Sequence, residues 1–292
     1  MNKILKTLIS PVYYLFVDKY AYDSSVPLIT RIWVTFRHKL ADKGIFIHNN
    51  EKKFHKLKNI NKGKRCFIIG NGPSLNKLDL TLLKEEYTFG VNAIYLNYDN
   101  MLFHPTYYVV EDNLVAEDRK EEINTYKGPK YKFFGNYFRS TLKADQDTIF
   151  INLLRNYADE KRFPLFPKNS IRKLGVGGSV TYVCLQLAYY MGFKEVYMIG
   201  FDHNYKIPKS ALISNIRATG FDITSTENDV NHFHKDYFGK GYRWHDPNVE
   251  RMEIGFKKAD EVFKKNGRKV FNATFGGKLD AFERVNYDNL FK

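Results

Sequence analysis

Cys66-Phe-Ile-Ile-Gly-Asn-Gly-Pro-Ser-Leu75 runs four apolar residues straight into a turn that only small residues can make. The pattern predicts a buried strand ending in a ligand loop. In an open α/β sheet, ligands sit in the crevice beyond the carboxyl ends of the strands, and glycines let the backbone approach a phosphate. Gly70, Asn71, Gly72 and Ser74 are therefore candidate nucleotide-binding residues, with Ser74 placed to cap a following helix and Lys77 facing solvent. A plain strand-to-helix turn would use the same residues. The spacing is neither G-x-G-x-x-G nor a P-loop with Lys-Ser/Thr, which disfavours ordinary dinucleotide binding and P-loop phosphoryl transfer.

Outward from this stretch, strands and helices alternate. A short helix is expected over residues 75–85, then strands over 88–91 (ending at Asn92), 107–110 (ending at Glu111-Asp-Asn113), 132–134 and 148–152. This succession predicts an α/β fold with a mostly parallel sheet and helices on its faces. Strand ends carrying Asn92 and Glu111 would open on one crevice, although Asn is also a common turn residue. Residues 153–174, broken by Pro164 and Pro167, read as irregular. Gly175-Val-Gly-Gly-Ser-Val-Thr-Tyr182 then opens a helix near Ser179 that stops at Gly192. Gly178 and Ser179 at such a helix start would offer backbone N–H groups to an anion, or merely allow close packing. A strand over 195–200 follows, and Asp202 just beyond it would hold a ribose hydroxyl, a metal or a turn. Residues 206–244 show little regular pattern and read as a lid or binding loop. A helix over 248–265 and a strand over 269–272 complete the series.

With 292 residues the chain can bury a full core. Aromatics at 16% and apolar residues at 43% exclude a disordered chain. A formal charge of +14 calls for a polyanionic neighbour: nucleic acid, an anionic membrane surface or a phosphate-bearing substrate. No nucleic-acid recognition motif accompanies it. Cys66 and Cys184 read as core thiols of a reducing compartment. No run of about eighteen apolar residues predicts a membrane-spanning helix, and the basic, then apolar, start lacks a signal-peptide cleavage pattern.

Residues 1–60 form a helical, basic extension in this reading, with residues 61–292 as the catalytic domain. Ile4, Leu5, Leu8 and Ile9, and again Ile29, Trp33, Phe36 and Leu40, recur at helical spacing among basic residues. Such a helix suits the interface of an anionic membrane; packing on the main domain or on a second copy of the chain, as a homo-oligomer, is the alternative. The lysines from Lys52 to Lys64 make a charged connection.

Among chemistry-bearing patterns, His232 and His234 have no third ligand of persuasive spacing for zinc. Asp145-Gln-Asp147 matches an Asp-x-Asp cation motif but precedes a strand, so a solvated turn is the expectation. No metal site is therefore assigned. His245, between Trp244 and Asp246, precedes the long helix.

In order, the Ile-Gly-Asn-Gly-Pro-Ser-Leu stretch, Phe89-Gly-Val-Asn92, Gly177-Gly-Ser-Val180, the run from Gly192 to Asp202, and His245 resemble the bacterial family-42 sialyltransferases. The chain is at least as similar to the 6-hydroxymethylpterin pyrophosphokinase-like (MptE-like) domain proteins, often encoded with surface-glycan genes, through Gly-Gly-Ser-Val-Thr-Tyr and Met-Gly-Phe-Lys-Glu-Val-Tyr. The resemblance covers about residues 64–275. The sialyltransferase likeness implies a modified Rossmann-like (GT-A-like) sheet. It also implies metal-independent, inverting transfer from a nucleotide-sugar donor, a CMP-linked nonulosonic acid, to a glycan or lipid-linked acceptor. That work would be cytoplasmic, peripheral on the inner membrane, and would need no cofactor. By position, Asn71 and Asn92 would contact nucleotide and phosphate, Gly178 and Ser179 the cytidine or donor, and His245 would be the general base, a task suited to an imidazole. The order Gly178-Ser179 reverses the sialyltransferase Ser-Gly, and Asn204 stands where a phosphate-neutralising Tyr is expected; Tyr205, Tyr237 or Tyr242 could replace it. The MptE-like likeness implies instead a phosphotransferase using Mg²⁺ and ATP, with Glu111, Asp112 and Asp202 as metal carboxylates. A non-catalytic nucleotide-binding assembly protein is the third reading.

Overall fold

The structure, a computed structural model, describes residues 27–154, 163–167, 170–171, 173–217 and 220–292. The helix expected around Ile4 to Ile9 lies outside the described residues. Strands in chain order are β1 (Arg65–Ile69), β2 (Thr88–Val91), β3 (Tyr107–Val110), β4 (Tyr131–Gly135), β5 (Thr148–Ile151), β6 (Leu153–Leu154) and β7 (Leu174–Gly175). They continue with β8 (Glu195–Ile199), β9 (Leu212–Arg217), β10 (Gly220–Thr224), β11 (Arg243–His245), β12 (Lys269–Asn272) and β13 (Glu283–Arg284). The described α-helices are α1 (Leu28–Asp42), α2 (Asn49–His55), α3 (Tyr98–Met101), α4 (Asn113–Asp118), α5 (Lys120–Thr125), α6 (Val180–Met191) and α7 (Val249–Lys265).

Eight strands form one sheet in the order β13-β12-β8-β1-β2-β3-β4-β5, and every adjacent pair is parallel. The α/β class and the mostly parallel sheet are as the alternation predicts. Continuous apolar runs form these strands because both faces are covered. Cys66 and Ile68 point into one core layer and Phe67 and Ile69 into the other. The first layer holds α6, of whose twelve residues eleven are buried, as expected of a helix that is apolar all round. Gln186 on α6 is satisfied by Gly175 on β7, donating to its carbonyl at 2.7 Å and accepting from its N–H at 2.8 Å. Gly192, at φ 89°, ends the helix. Ala41, Phe54 and Leu57 join the same layer from α1, α2 and the turn after it. Cys66 and Cys184 are buried free thiols. Among the described residues, no helix is long and apolar enough to cross a membrane.

Three expectations need correction. Residues 75–85 are not one helix but two 3₁₀ turns, Pro73–Lys77 and Leu80–Leu83, because Asp79 restarts the backbone by accepting from the Thr81 N–H at 3.0 Å. Residues 153–174 are not wholly irregular, since β6 and β7 pair in parallel. Residues 206–244 contain most of a three-stranded antiparallel sheet, β11-β10-β9. All six residues of β9 are exposed, so no apolar alternation marked it in the sequence.

Asp145 and Asp147 form a turn, as expected. Asp145 accepts from the Asp147 N–H at 3.1 Å and from the nearly buried Lys132 ammonium at 2.7 Å. Burial works to raise the Asp145 carboxyl, but Lys132 and Thr148 outweigh it and hold the group at about 2, below the ordinary 3.8. A carboxyl depressed in the folded state adds stability that is fully present above the unfolded value and is lost as pH falls toward the folded one. Asp145→Asn is expected to cost roughly 2–4 kcal/mol at neutral pH, a gap that closes as pH drops from about 4 to about 2. Urea melts of both proteins across that range measure it; a pH-independent gap would contradict the assignment.

Candidate functional site

The chain winds from β1 outward to β5, then resumes with β8 on the other side of β1. The crevice beyond the carboxyl ends of β1 and β8 is therefore the switch point of the sheet, where open α/β folds take ligands. Two backbone bonds join the loops there: the Gly70 N–H donates to the Ile199 carbonyl at 2.8 Å and the Gly72 N–H to that of Gly200 at 2.9 Å. A Cβ on Gly70 would lie 2.5 Å from the Gly200 oxygen, and one on Gly72 only 1.9 Å from Asp202 Oδ2. That same Oδ2 accepts from the Ser74 N–H at 3.2 Å and the Ser74 hydroxyl at 2.7 Å. Ser74 therefore does not cap a helix; the first 3₁₀ turn starts from Gly72, and Ser74 ties Asp202 to the first loop.

A cavity of about 610 Å³ opens at this point. Gly70, Asn71, Gly72, Asn92, Gly178, Ser179, Asp202 and His245 all line it, whereas Ser74 does not. Ser179 is the N-cap of α6, its hydroxyl accepting from the Thr181 N–H at 3.2 Å, so the positive end of that helix faces the space. Glu111 and Asp112 reach the rim from the end of β3. Asp112 also caps α4, accepting from the N–H groups of Leu114 and Val115. Among the described residues, no group of three or more His, Cys, Asp or Glu side chains is arranged to hold a metal ion.

Residues 231–238 close over the first loop. The Phe233 N–H donates to the Asn71 carbonyl at 2.8 Å, and Asn76 Nδ2 donates to the Phe233 carbonyl at 2.9 Å. Asn71 Nδ2 donates to the Tyr237 hydroxyl at 2.7 Å. The side-chain oxygens of Asn71 and Asn92 are left buried without a partner. Tyr237 is itself buried, stacks on His232 at 4.1 Å, and accepts through its carbonyl from the buried Arg119 at 2.7 Å. Burial pushes the Tyr237 phenol far up, so it stays neutral. His232 binds Asp229 at 2.7 Å, while His234 accepts from the Asp236 N–H at 3.2 Å; the two imidazoles serve separate contacts. Tyr205 lines the cavity as Tyr237 does, whereas Tyr242 lies under Arg119, 4.0 Å from its guanidinium.

The antiparallel sheet brings an imidazole to the cavity. His245 ends β11, and its Nδ1 lies 2.9 Å from Oδ1 of Asp222 on β10. Its Nε2 lies 3.2 Å from Asn113 Oδ1 and 3.6 Å from Asp112 Oδ1. Burial works to raise the Asp222 carboxyl, but hydrogen bonds from Arg217, Asn215 and His245 hold it at about 2. Asn215, at φ 48°, sits in a bulge where β9 shifts register against β10, and this turns its amide onto Asp222 at 2.8 Å. The imidazole is thus oriented by a carboxylate that is itself fixed, the arrangement of a positioned acid–base group.

Asp222 and His203 are among the lining residues that sequence reading missed. Asp222 had no signal because its partner lies 23 residues away across a sheet the pattern did not reveal. His203, adjacent to Asp202, is at φ 53° and nearly buried, with Nε2 3.6 Å from Glu253 Oε1. Burial pushes its imidazole down against the pull of Glu253, favouring the neutral ring. A left-handed His in the loop that follows β8 was the available clue only once the backbone was known.

The family described as 6-hydroxymethylpterin diphosphokinase MptE-like matches residues 46–208. The chain belongs to this MptE-like family. No curated protein matched it. The family match takes in the loop after β1, Asn92, Gly178, Ser179 and Asp202, and ends before Asp222 and His245. The likeness to sialyltransferases rests on motif order alone.

Gly72→Ala is expected to push Asp202 off Ser74, costing roughly 1–3 kcal/mol of stability and weakening ligand binding in the cavity. Denaturant melts, with binding titrations of the nucleotide that stabilises the wild type, measure both; wild-type values for both would mean the close approach is not needed.

Proposed function

We propose that this MptE-like chain is a transferase that binds a nucleotide-activated sugar at the β1/β8 switch point and passes the sugar to an acceptor hydroxyl, with His245 as general base. The observation carrying this reading is that the His245–Asp222 pair faces the same cavity as the glycine loops and the start of α6. Phosphate would lie toward Gly70, Gly72, Gly178 and Ser179, where backbone approach is closest and the helix end is positive. A CMP-linked nonulosonic acid is the first donor to test, and a surface glycan or lipid-linked glycan the acceptor.

His245 Nδ1 donates to Asp222, so in the neutral ring Nε2 carries the lone pair. In transfer, Nε2 removes the acceptor O–H proton as that oxygen attacks the anomeric carbon. The bond to the nucleotide phosphate breaks, and the leaving group departs with its electron pair toward the helix start. No residue in this scheme requires a metal.

The family description favours a second reading, diphosphoryl transfer from ATP with Mg²⁺. Mg²⁺ carried on a triphosphate needs only one or two carboxylates, and Glu111 and Asp112 line the cavity. Thermal shift of the full chain with CMP, CDP, UDP and ATP, each with and without Mg²⁺, separates the readings. Stabilisation by CMP without metal is the expected result; stabilisation by Mg-ATP alone would replace the first reading with the second.

His245→Ala is expected to lower kcat by about 10²-fold or more while leaving the nucleotide-induced shift in place. A loss below about tenfold would remove His245 from the base role. Asp222 accepts from His245 Nδ1 at 2.9 Å and holds the ring in place. Asp222→Asn should therefore lower kcat while leaving the nucleotide-induced thermal shift in place; an unchanged kcat would contradict the pairing.

A further inference from the structure

Helix α1 is turned inside out. It buries Thr35, His38 and Ala41 and leaves large apolar side chains outside. Leu28, Ile29, Trp33, Phe36 and, just beyond the helix, Ile45 and Ile47 are 43–73% exposed. Ile29, Trp33 and Phe36 follow one another at spacings of four and three, so they share one face. Trp33 and Phe36 lie with ring centroids 6.1 Å apart.

The rotation of the helix is fixed by polar contacts beneath it. Arg37 Nε lies 2.9 Å and His38 Nε2 3.6 Å from Oε1 of Glu51 on α2, a carboxylate only 3% exposed. Releasing the apolar face inward would strip a buried anion of both partners, which is costly. The outward face is therefore a built feature.

We propose that this face docks onto the surface of an anionic lipid bilayer. The surrounding charge selects that occupant. Residues 27–64 carry ten lysines and arginines against Asp42 and Glu51. More than half of the chain's surplus of +14 thus lies in this short segment. Lys43, Lys52, Lys56 and Lys58 are exposed. An exposed apolar face in a segment this rich in cations matches an interface where acyl chains lie under acidic headgroups. A second copy would bring two such cationic surfaces together, and repulsion opposes that pairing.

Co-sedimentation of the full chain with vesicles of phosphatidylcholine, with and without about 30% phosphatidylglycerol, tests the proposal. Binding is expected to the anionic vesicles, to fall as salt is raised, and to drop at least about tenfold in Trp33→Glu/Phe36→Glu, whose thermal melt should match the wild type. Equal binding to neutral vesicles, no binding to either, or full binding by the double variant would overturn it. Loss of binding in Leu5→Glu/Leu8→Glu with none in the Trp33 and Phe36 variant would assign the contact to residues 1–26 instead. A wild-type dimer that the Trp33 and Phe36 changes dissociate, without vesicle binding, would make the face an interface between copies.

Discussion

The close approach of two loops governs the site. Gly72 must lack a Cβ because Asp202 Oδ2 occupies that space, and Asp202 is there because Ser74 donates to it twice. A carboxylate accepting two hydrogen bonds holds its position far better than one in solvent. Its consequence is geometric: the ends of β1 and β8 are locked edge to edge, and the crevice between them becomes a fixed space and not a flexible gap. Gly70 to Gly72 and Gly200 to Asp202 line the cavity from that junction, and Tyr237 lies over the first loop.

Two other elements complete the enclosure by different physical means. The start of α6 supplies a field, since Ser179 satisfies one N–H group and leaves a positive helix end facing the cavity. Residues 231–238 supply a roof, attached to the Asn71 loop by backbone and side-chain bonds and held from behind by Arg119. The unpartnered oxygens of Asn71 and Asn92 lie beneath this roof. Buried acceptors without donors are costly.

The sheet was legible because parallel strands buried on both faces read as unbroken apolar runs, as in Cys66 to Ile69 and in β8. The loop after β1 was legible as a sharp strand end lined by small residues, and Gly70, Asn71 and Gly72 do line the cavity. Less could be read where contacts, and not periodicity, define structure. β9 exposes every residue, β11 is three residues long, and Asp222 has meaning only through its partners. Ser74 shows the complementary failure. A local rule assigned it to a helix cap, but a carboxylate 128 residues away competes for its N–H and hydroxyl and wins, because a charged acceptor binds more strongly than a neutral one.

The family match and the His245–Asp222 pair occupy different parts of the chain, and this division has a physical logic. Residues 46–208 form most of the sheet and the glycine loops at its switch point, where a Cβ at Gly70 or Gly72 would meet the Gly200 carbonyl or Asp202. Asp222 and His245 belong to a small antiparallel sheet that touches the main body through α4, where Arg243 binds Asp118 and His245 meets Asn113. A sheet attached through side-chain contacts can change its residues without disturbing the strand ends below. Fold-level kinship therefore accounts for the cavity at the strand ends, while the groups that the attached sheet turns toward it are a carboxylate and the imidazole it orients.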